Sequence, residues 1–199
     1  MTTPVSDEQL LLSMLSGNAE AFAELYDRRH GAIYRYALRM TGSEATAEDI
    51  TQDVFLELMR DAQNFDETRG PLQAYIFGMA RHRVLRRLQT GRNFVSLEEE
   101  SGDEVMETNF TSASDPFMDF QREEIVGLVR QAVLSLPANF REVIVLCEFQ
   151  ELNYVDAARL IDCPVGTIRS RLNRARGMLV NKLRALQQSE VSSVEMKQA

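Results

Sequence analysis

A chain of 199 residues with 22 Lys and Arg against 30 Asp and Glu has a formal net charge of −8, with 44% hydrophobic residues, two Cys and no Trp. That length and apolar content suit one large or two small packed domains. They exclude a collagen-like chain, a wholly disordered chain and a disulfide-stapled secreted miniprotein. The acidic pI of about 4.9, taken alone, also argues against a nucleic-acid binder, because phosphate binding needs clustered cations.

The N-terminus lacks the basic start and continuous apolar stretch of a signal peptide. The longest uninterrupted apolar run, 143–147, is far too short for a membrane span. A cytoplasmic location without membrane insertion is therefore expected, with Cys147 and Cys163 as reduced thiols packed as small hydrophobes. In chain order, Ser6 with Gln9 makes a capping-box pattern for a short helix through Met14. Asn18 can cap a second helix, in which Phe22, Leu25, Ile33, Tyr36, Ala37 and Met40 fall mainly on one stripe, and Gly42-Ser43 breaks it. Ser43 can cap a third helix with the apolar stripe Ala47, Ile50, Val54 and Leu58. Residues 64–71 read as a loop closed by Gly70-Pro71, and a fourth helix runs from Leu72 to about Gln89.

The charge is unevenly spread. Residues 1–95 carry 13 acids and 11 bases, 96–124 carry 10 acids and one base, and 125–199 carry 7 acids and 10 bases. The middle stretch, with Glu98-Glu99-Glu100 and scattered Ser and Gly, has no helical period and reads as an extended acidic tether. The expected fold is all-α: two small helical domains, 1–92 and 117–188, joined by a flexible acidic linker, 93–116, with a frayed tail, 189–199.

After the linker come a helix over 117–134, a helix from Pro137, and then a pair of helices, 154–161 and 165–186, flanking 162–165. This pair has the layout of a DNA-reading helix-turn-helix in the C-terminal domain. Asn153 and Asp156 can form a reciprocal cap, Ala157 and Ala158 permit a close crossing, and Pro164 stops the first helix. On the second, Ile168, Leu172, Ala175 and Leu179 form a narrow inward stripe. Thr167, Ser170, Arg171 and Arg174 share one flank; Arg169, Asn173 and Arg176 share the other. Arg on both flanks of a groove-sized helix suits reading base edges on one side while gripping phosphate on the other. The alternative is a solvated basic face on an ordinary amphipathic helix. The fourth helix interleaves Tyr75 and Phe77 with Arg81, Arg83, Arg86 and Arg87. Aromatic faces can stack on unpaired bases while Arg neutralises the backbone; the alternative is a core stripe with solvated arginines.

Three blocks carry a resemblance to the extracytoplasmic-function group of bacterial RNA polymerase sigma factors: 47–60 (AEDITQDVFLELMR), 64–88, and 136–176 with its CPVGTIRSRLNRAR run. The resemblance implies a non-catalytic initiation factor that binds core RNA polymerase and directs promoter recognition, melting and initiation. In such factors the helix matching 47–60 docks on the clamp helices of the largest polymerase subunit, here through Asp49, Gln52, Asp53 and Leu56. The loop and fourth helix would hold the melted proximal promoter strand through Asn64, Phe65, Asp66, Arg69, Tyr75, Phe77, Arg81, His82 and Arg86. The C-terminal helix would read the distal element in duplex DNA through Thr167, Arg169, Ser170, Arg171, Asn173, Arg174 and Arg176, with its domain on the flap of the second subunit. An anti-sigma protein is a further implied partner. The chain departs from the usual pattern at Tyr75, where Trp is common, at His82, where Asn is common, at Gly78, which interrupts a helix, and at Val155, where an acid is common.

Other readings stay open at this level. An enzyme would need a nucleophile elbow, a Walker-type glycine loop or a metal site. The residues Glu98, Glu99, Glu100 and Asp103 lack calcium-loop spacing, so no catalytic residue, metal or cofactor is expected. A sigma-like decoy for an anti-sigma protein leaves the arginines of the recognition helix without a purpose. A conventional helix-turn-helix regulator leaves 47–88 unexplained.

Overall fold

A computed structural model describes residues 5–95 and 116–197, and their side chains over 5–90 and 125–185; every regular element among them is a helix. The acidic run Glu98–Glu100 and the rest of 96–115 lie outside the described residues. Helix α1 (Asp7–Leu15) opens on the expected capping box: Gln9 N–H donates to Ser6 Oγ at 3.2 Å, and Ser6 N–H donates to Gln9 Oε1 at 2.9 Å. Helix α2 (Ala19–Thr41) begins where Asn18 Oδ1 accepts from the N–H groups of Glu20 and Ala21. It ends at Gly42, whose φ of 78° is a left-handed conformation that side chains resist; its N–H closes on Leu38 O at 2.8 Å. Helix α3 (Glu44–Asp61) is capped by Ser43 and buries the stripe Ala47, Ile50, Val54 and Leu58.

Two short 3₁₀ turns, Ala62–Asn64 and Glu67–Arg69, form the loop before α4 (Leu72–Val95). Glu8 Oε1 of α1 accepts the Leu72 N–H at 3.3 Å, so the first helix places an acid at the N-terminus of the fourth. Helix α4 passes through Gly78 unbroken and continues past Gln89 to Val95, taking in the first residues expected to belong to the linker. Between α3 and α4 runs an ion ladder: Asp49 pairs with Arg87 at 3.4 Å, Asp53 with Arg83 at 3.5 Å, and Glu57 with Arg83. The acids sit four residues apart and so share one face of α3.

In the second half, α5 (Pro116–Leu134) leads to α6 (Ala138–Ile144), with Pro137 as the capping residue rather than the first helical one. A wide π-helical turn, Val145–Phe149, follows, with Gln150 N–H reaching back to Val145 O at 3.1 Å. It swings the chain into α7 (Tyr154–Ile161), which is followed by α8 (Val165–Lys197). The reciprocal cap forms as expected: Asn153 Oδ1 accepts from Val155 and Asp156 N–H, while Asn153 Nδ2 donates to Asp156 Oδ2 at 2.6 Å. Helix α7 stops at Asp162, in the left-handed region at φ 57°, and not at Pro164. Pro164 instead starts α8, its carbonyl accepting the Thr167 N–H at 2.8 Å. Helix α8 extends beyond 186 to Lys197, through most of the tail expected to fray, because 187–197 contains no Gly or Pro to break it.

The halves meet. Their buried apolar residues form one cluster from Leu10 to Ala175, and α2 and α4 pack against α5, α6, α7 and the π turn. At this seam Arg81 of α4 donates from Nε to Glu142 Oε1 of α6 at 2.7 Å. Arg141 Nη1 donates to Met40 O at 2.6 Å, and Gln73 Nε2 donates to Gln150 O at 3.2 Å. The Arg39 guanidinium lies 4.5 Å from the centre of the Phe149 ring, a cation–π contact. Among the described residues, three buried side-chain atoms have no hydrogen-bond partner, Tyr36 Oη, Arg141 Nε and Gln150 Nε2. Each belongs to a residue of this seam, and such an atom costs about 1–3 kcal/mol.

The cap of α7 gives a direct stability test. Asn153→Ala should lower the unfolding free energy by about 1 kcal/mol, read from urea denaturation as a shifted midpoint with unchanged slope.

Candidate nucleic-acid interface

The helix-turn-helix is built from its small residues outward. Ala157 and Ala158 are buried on α7, and Ile168, Leu172 and Ala175 are buried on α8, so the two helices pack through short side chains and leave the opposite side of α8 in solvent. There Arg169, Ser170, Asn173 and Arg174 are exposed, and Thr167 and Arg171 are half-buried at the flank. Arg169 and Arg174 have no ion-pair partner among the described residues. Arg176 does: it pairs with Glu148 of the π turn, and that contact, with Tyr154 adding to it, raises the guanidinium pKa. With Arg171, half-buried and likewise without an ion pair among the described residues, three arginines can meet a polyanion, and a fourth, Arg176, is held beside its own carboxylate.

The second candidate region is a cleft of about 450 Å³. Its loop side is made by Asn64, Phe65, Asp66 and Arg69, and its α4 side by Tyr75, Met79 and His82. Asp66 organises the loop by accepting from both Thr68 N–H (3.0 Å) and Thr68 Oγ1 (2.6 Å), contacts that lower its pKa and keep it ionised. Gly70, at φ 140°, ends the second 3₁₀ turn in a conformation that favours glycine. Phe65 and Tyr75 face one another at 5.5 Å between ring centres, tilted by 56°. Burial raises the Tyr75 pKa, with Glu57 and Asp61 adding to it, and the neutral phenol points its Oη toward Asp61 O at 3.4 Å. A planar heterocycle entering beside this pair would find an aromatic face and polar rims.

The structure does not bring all the expected residues to that cleft. Phe77 is 1% exposed and packs edge-on against Tyr36 at 5.5 Å, so it is core and cannot stack on a base. The reason is helical phase: Phe77 shares a face with Ala80 and Val84, while Tyr75, Met79 and His82 line the cleft. Arg81 turns into the seam with Glu142, whereas Arg86 and His82 stay exposed. On α3, Asp49, Gln52, Asp53 and Leu56 all face solvent, Leu56 at 56% exposure, with Asp49 and Asp53 also in the ladder to α4.

Sequence reasoning missed that α7 also lines the cleft. Asp156, Arg159 and Leu160 contribute to its lining, and Leu160 packs on α4 at Gly78, where Leu160 Cδ1 lies 3.4 Å from an ideal Cβ position. Nothing local signals this meeting of residues nearly half a chain apart. Among the described residues no group of His, Cys, Asp and Glu is placed to hold a metal, and no helix is long and apolar enough to cross a membrane.

Two family models, two relatives and two solved structures are similar to this chain. Residues 25–93 match the sigma-70 region 2 family, and residues 127–179 match sigma-70 region 4. The RNA polymerase sigma-H factor of Pseudomonas aeruginosa is 30% identical over 196 residues, spanning 94% of this chain and 98% of that one. The ECF RNA polymerase sigma factor SigW of Bacillus subtilis is 28% identical over 174 residues, 85% of this chain and 92% of that one. In fold, the chain is similar to the sigma factor RpoE in its co-crystal with the anti-sigma factor NepR from Bartonella quintana, with TM-score 0.66, 22% identity, and 83% of this chain and 98% of that one covered. It is similar also to CnrH in complex with the cytosolic domain of CnrY, with TM-score 0.64, 23% identity, and 90% and 97% covered.

The burial of Phe77 makes a stability prediction. Phe77→Ala should cost about 3–5 kcal/mol of folding free energy, seen as an early thermal or urea transition; full stability with lost DNA binding would return it to the DNA-contacting set.

Proposed function

This chain belongs to the extracytoplasmic-function group of the sigma-70 family of RNA polymerase sigma factors, and on that premise we propose how its residues divide the work of initiation. The factor is not an enzyme: it binds core RNA polymerase and promoter DNA and directs transcription initiation. Its N-terminal half, residues 1–92, docks on the clamp helices of the largest subunit through Leu56, Gln52, Asp49 and Asp53. The cleft between the Asn64–Gly70 loop and α4 takes a base swung out of the proximal element. Unstacking costs a few kcal/mol, which the Phe65–Tyr75 pair and the exposed Arg69, His82 and Arg86 help to offset. The C-terminal half, 117–188, sits on the flap and reads the distal element in the major groove through Arg169, Ser170, Asn173 and Arg174, with Thr167, Arg171 and Arg176 at the flanks. The acidic segment 93–116 links the two halves. Its site of action is the cytoplasm.

The observation that carries this reading is that one chain presents Arg169 and Arg174, exposed and without ion pairs among the described residues, on a groove-sized helix, together with an aromatic cleft built mainly by the Asn64–Gly70 loop and α4. A conventional regulator needs only the first, and a decoy needs neither. An anti-sigma protein is a partner consistent with the complexes of RpoE and CnrH. The net charge outside 96–124 is only +1, so free DNA affinity should be low and promoter binding should depend on core polymerase.

Purified core polymerase with this chain should produce promoter-specific transcripts from a promoter library; none from a soluble, helical chain would overturn the reading. Arg174→Ala should weaken use of the distal element by about 1–3 kcal/mol in that assay. Leu56→Ala should leave stability within about 0.5 kcal/mol of the parent, since the side chain is exposed, while core affinity measured by fluorescence anisotropy falls.

A further inference from the structure

On the sigma-factor reading above, we infer that Glu148 of the π turn is an internal competitor for DNA phosphate: its carboxylate occupies Arg176, so the recognition helix grips the DNA backbone with one cation fewer than its composition offers. Glu148 thereby sets how tightly the C-terminal half holds duplex DNA of any sequence and leaves base reading alone.

The contact joins two elements that the sequence keeps 28 positions apart. Val145 and Leu146 are buried and anchor the π turn, and Gln150 N–H closes on Val145 O at 3.1 Å, so Glu148 is left on the outside beside α8. There Arg176 Nη2 donates to Glu148 Oε1 at 2.5 Å. The side chain of Tyr154, the first residue of α7, adds a hydrogen bond with the same guanidinium. Arg176 follows Arg169 and Asn173 at spacings of 7 and 3, so it lies on one flank of α8 with them. Arg169, Arg171 and Arg174 have no ion pair among the described residues. Of the four arginines over 169–176, Arg176 is thus the one that meets a carboxylate there.

Both side chains stay in water, Arg176 at 54% and Glu148 at 39% exposure, so the pair fills no core. Exposed pairs of this kind add little to folding, and Ile168, Leu172 and Ala175 already hold α8 in place. The electrostatic consequence is the larger one. A guanidinium matched by its own carboxylate brings no net charge to the duplex and releases no counterion from it. A bare carboxylate on that flank would repel phosphate, and Arg176 covers it. Phosphate contacts fix position and carry no sequence information, so the competition acts equally on every duplex. It lowers DNA binding by the free chain, in the same direction as the acidic net charge. Promoter choice stays with Arg169, Ser170, Asn173 and Arg174.

Salt titrations of duplex binding, followed by fluorescence anisotropy, read the competition. They use the polymerase holoenzyme on a promoter drawn from the library, and the free full-length chain on a random-sequence duplex. Glu148→Gln should tighten both complexes roughly two- to fivefold, the strength of one exposed ion pair. It should also steepen the fall of log affinity with log salt by about 0.9, the increment for one added phosphate contact. Arg176→Gln bares the carboxylate and should weaken both complexes. The double variant is neutral at both positions, as the ion pair is in sum, and should keep the wild-type salt slope. Helical content by circular dichroism should be unchanged in all three. Glu148→Ala repeats the test without an amide oxygen that could still hold Arg176. An unchanged slope in both Glu148 variants would overturn the competition. So would a double variant with a shallower slope than wild type, which would put Arg176 on phosphate already, or a gain confined to the promoter duplex. If the holoenzyme forms no promoter complex, the sigma reading fails, and the free-chain titration still decides whether Glu148 competes.

Discussion

The ion pair between Arg81 and Glu142 is the contact around which the two halves of this molecule are registered. Glu142 is nearly inaccessible and Arg81 is largely covered, and moving such ions out of water costs several kcal/mol each before their attraction repays it. A pair of this kind adds little net stability compared with apolar packing of the same volume. It is, however, intolerant of misalignment, because sliding α6 along α4 would leave one buried charge uncompensated. Once the pair is set, Arg141 reaches Met40 O, Gln73 reaches Gln150 O and Leu160 settles over Gly78. The same placement brings Asp156, Arg159 and Leu160 of α7 to the lining of the cleft. Tyr36 lies beside the pair, its hydroxyl wholly buried, and burial with the Glu142 charge drives its pKa well above the ordinary range. The phenol is therefore neutral at any physiological pH.

The N-terminal half is arranged around α2, which packs against α1, α3 and α4 and carries Tyr36 to the Phe77 ring. Burying Phe77 fixes the rotation of α4, and that rotation decides which of its cations point where. Arg83 and Arg87 turn to the carboxylates of α3, Arg81 to the seam, and Arg86 to solvent. A helix that looks uniformly basic in sequence is thus divided into structural and available arginines by one aromatic anchor. The exposed pairs of the ladder contribute little to stability individually. They do keep the acids of α3 beside positive charge, so the surface proposed to meet polymerase is less repulsive toward nucleic acid than its composition implies.

Charge distribution explains how an acidic protein serves a promoter. The deficit of −8 is held mostly by 96–124, and the recognition helix is basic where it is exposed. At about 0.15 M salt, charges further apart than roughly 8 Å are largely screened, so the acidic segment does not neutralise Arg169 and Arg174 unless it approaches them. Net charge governs long-range attraction to DNA, whereas local charge governs the contact once a complex has formed. Polymerase can supply the first, and the factor then needs only the second.

Residue periodicity, capping residues and turn residues were sufficient to determine the helices of this chain, because each depends on neighbours within a few positions. Ser6–Gln9, Asn18, Ser43 and Asn153 cap as their patterns indicate, and the stripe from Ala47 to Leu58 is buried as its spacing requires. The helix-turn-helix and its outward arginines were legible for the same reason. The stop of α7 at Asp162 was less so, since a left-handed Asp depends on the packing of the turn and Pro164 offered a more obvious signal. Tertiary structure alone decided that Phe77 is core, that Arg81 belongs to a pair, and that α7 lines the cleft. Those outcomes depend on partners 41, 61 and some 80 positions away, a separation at which local pattern carries no information and only the packing of whole helices selects the contact.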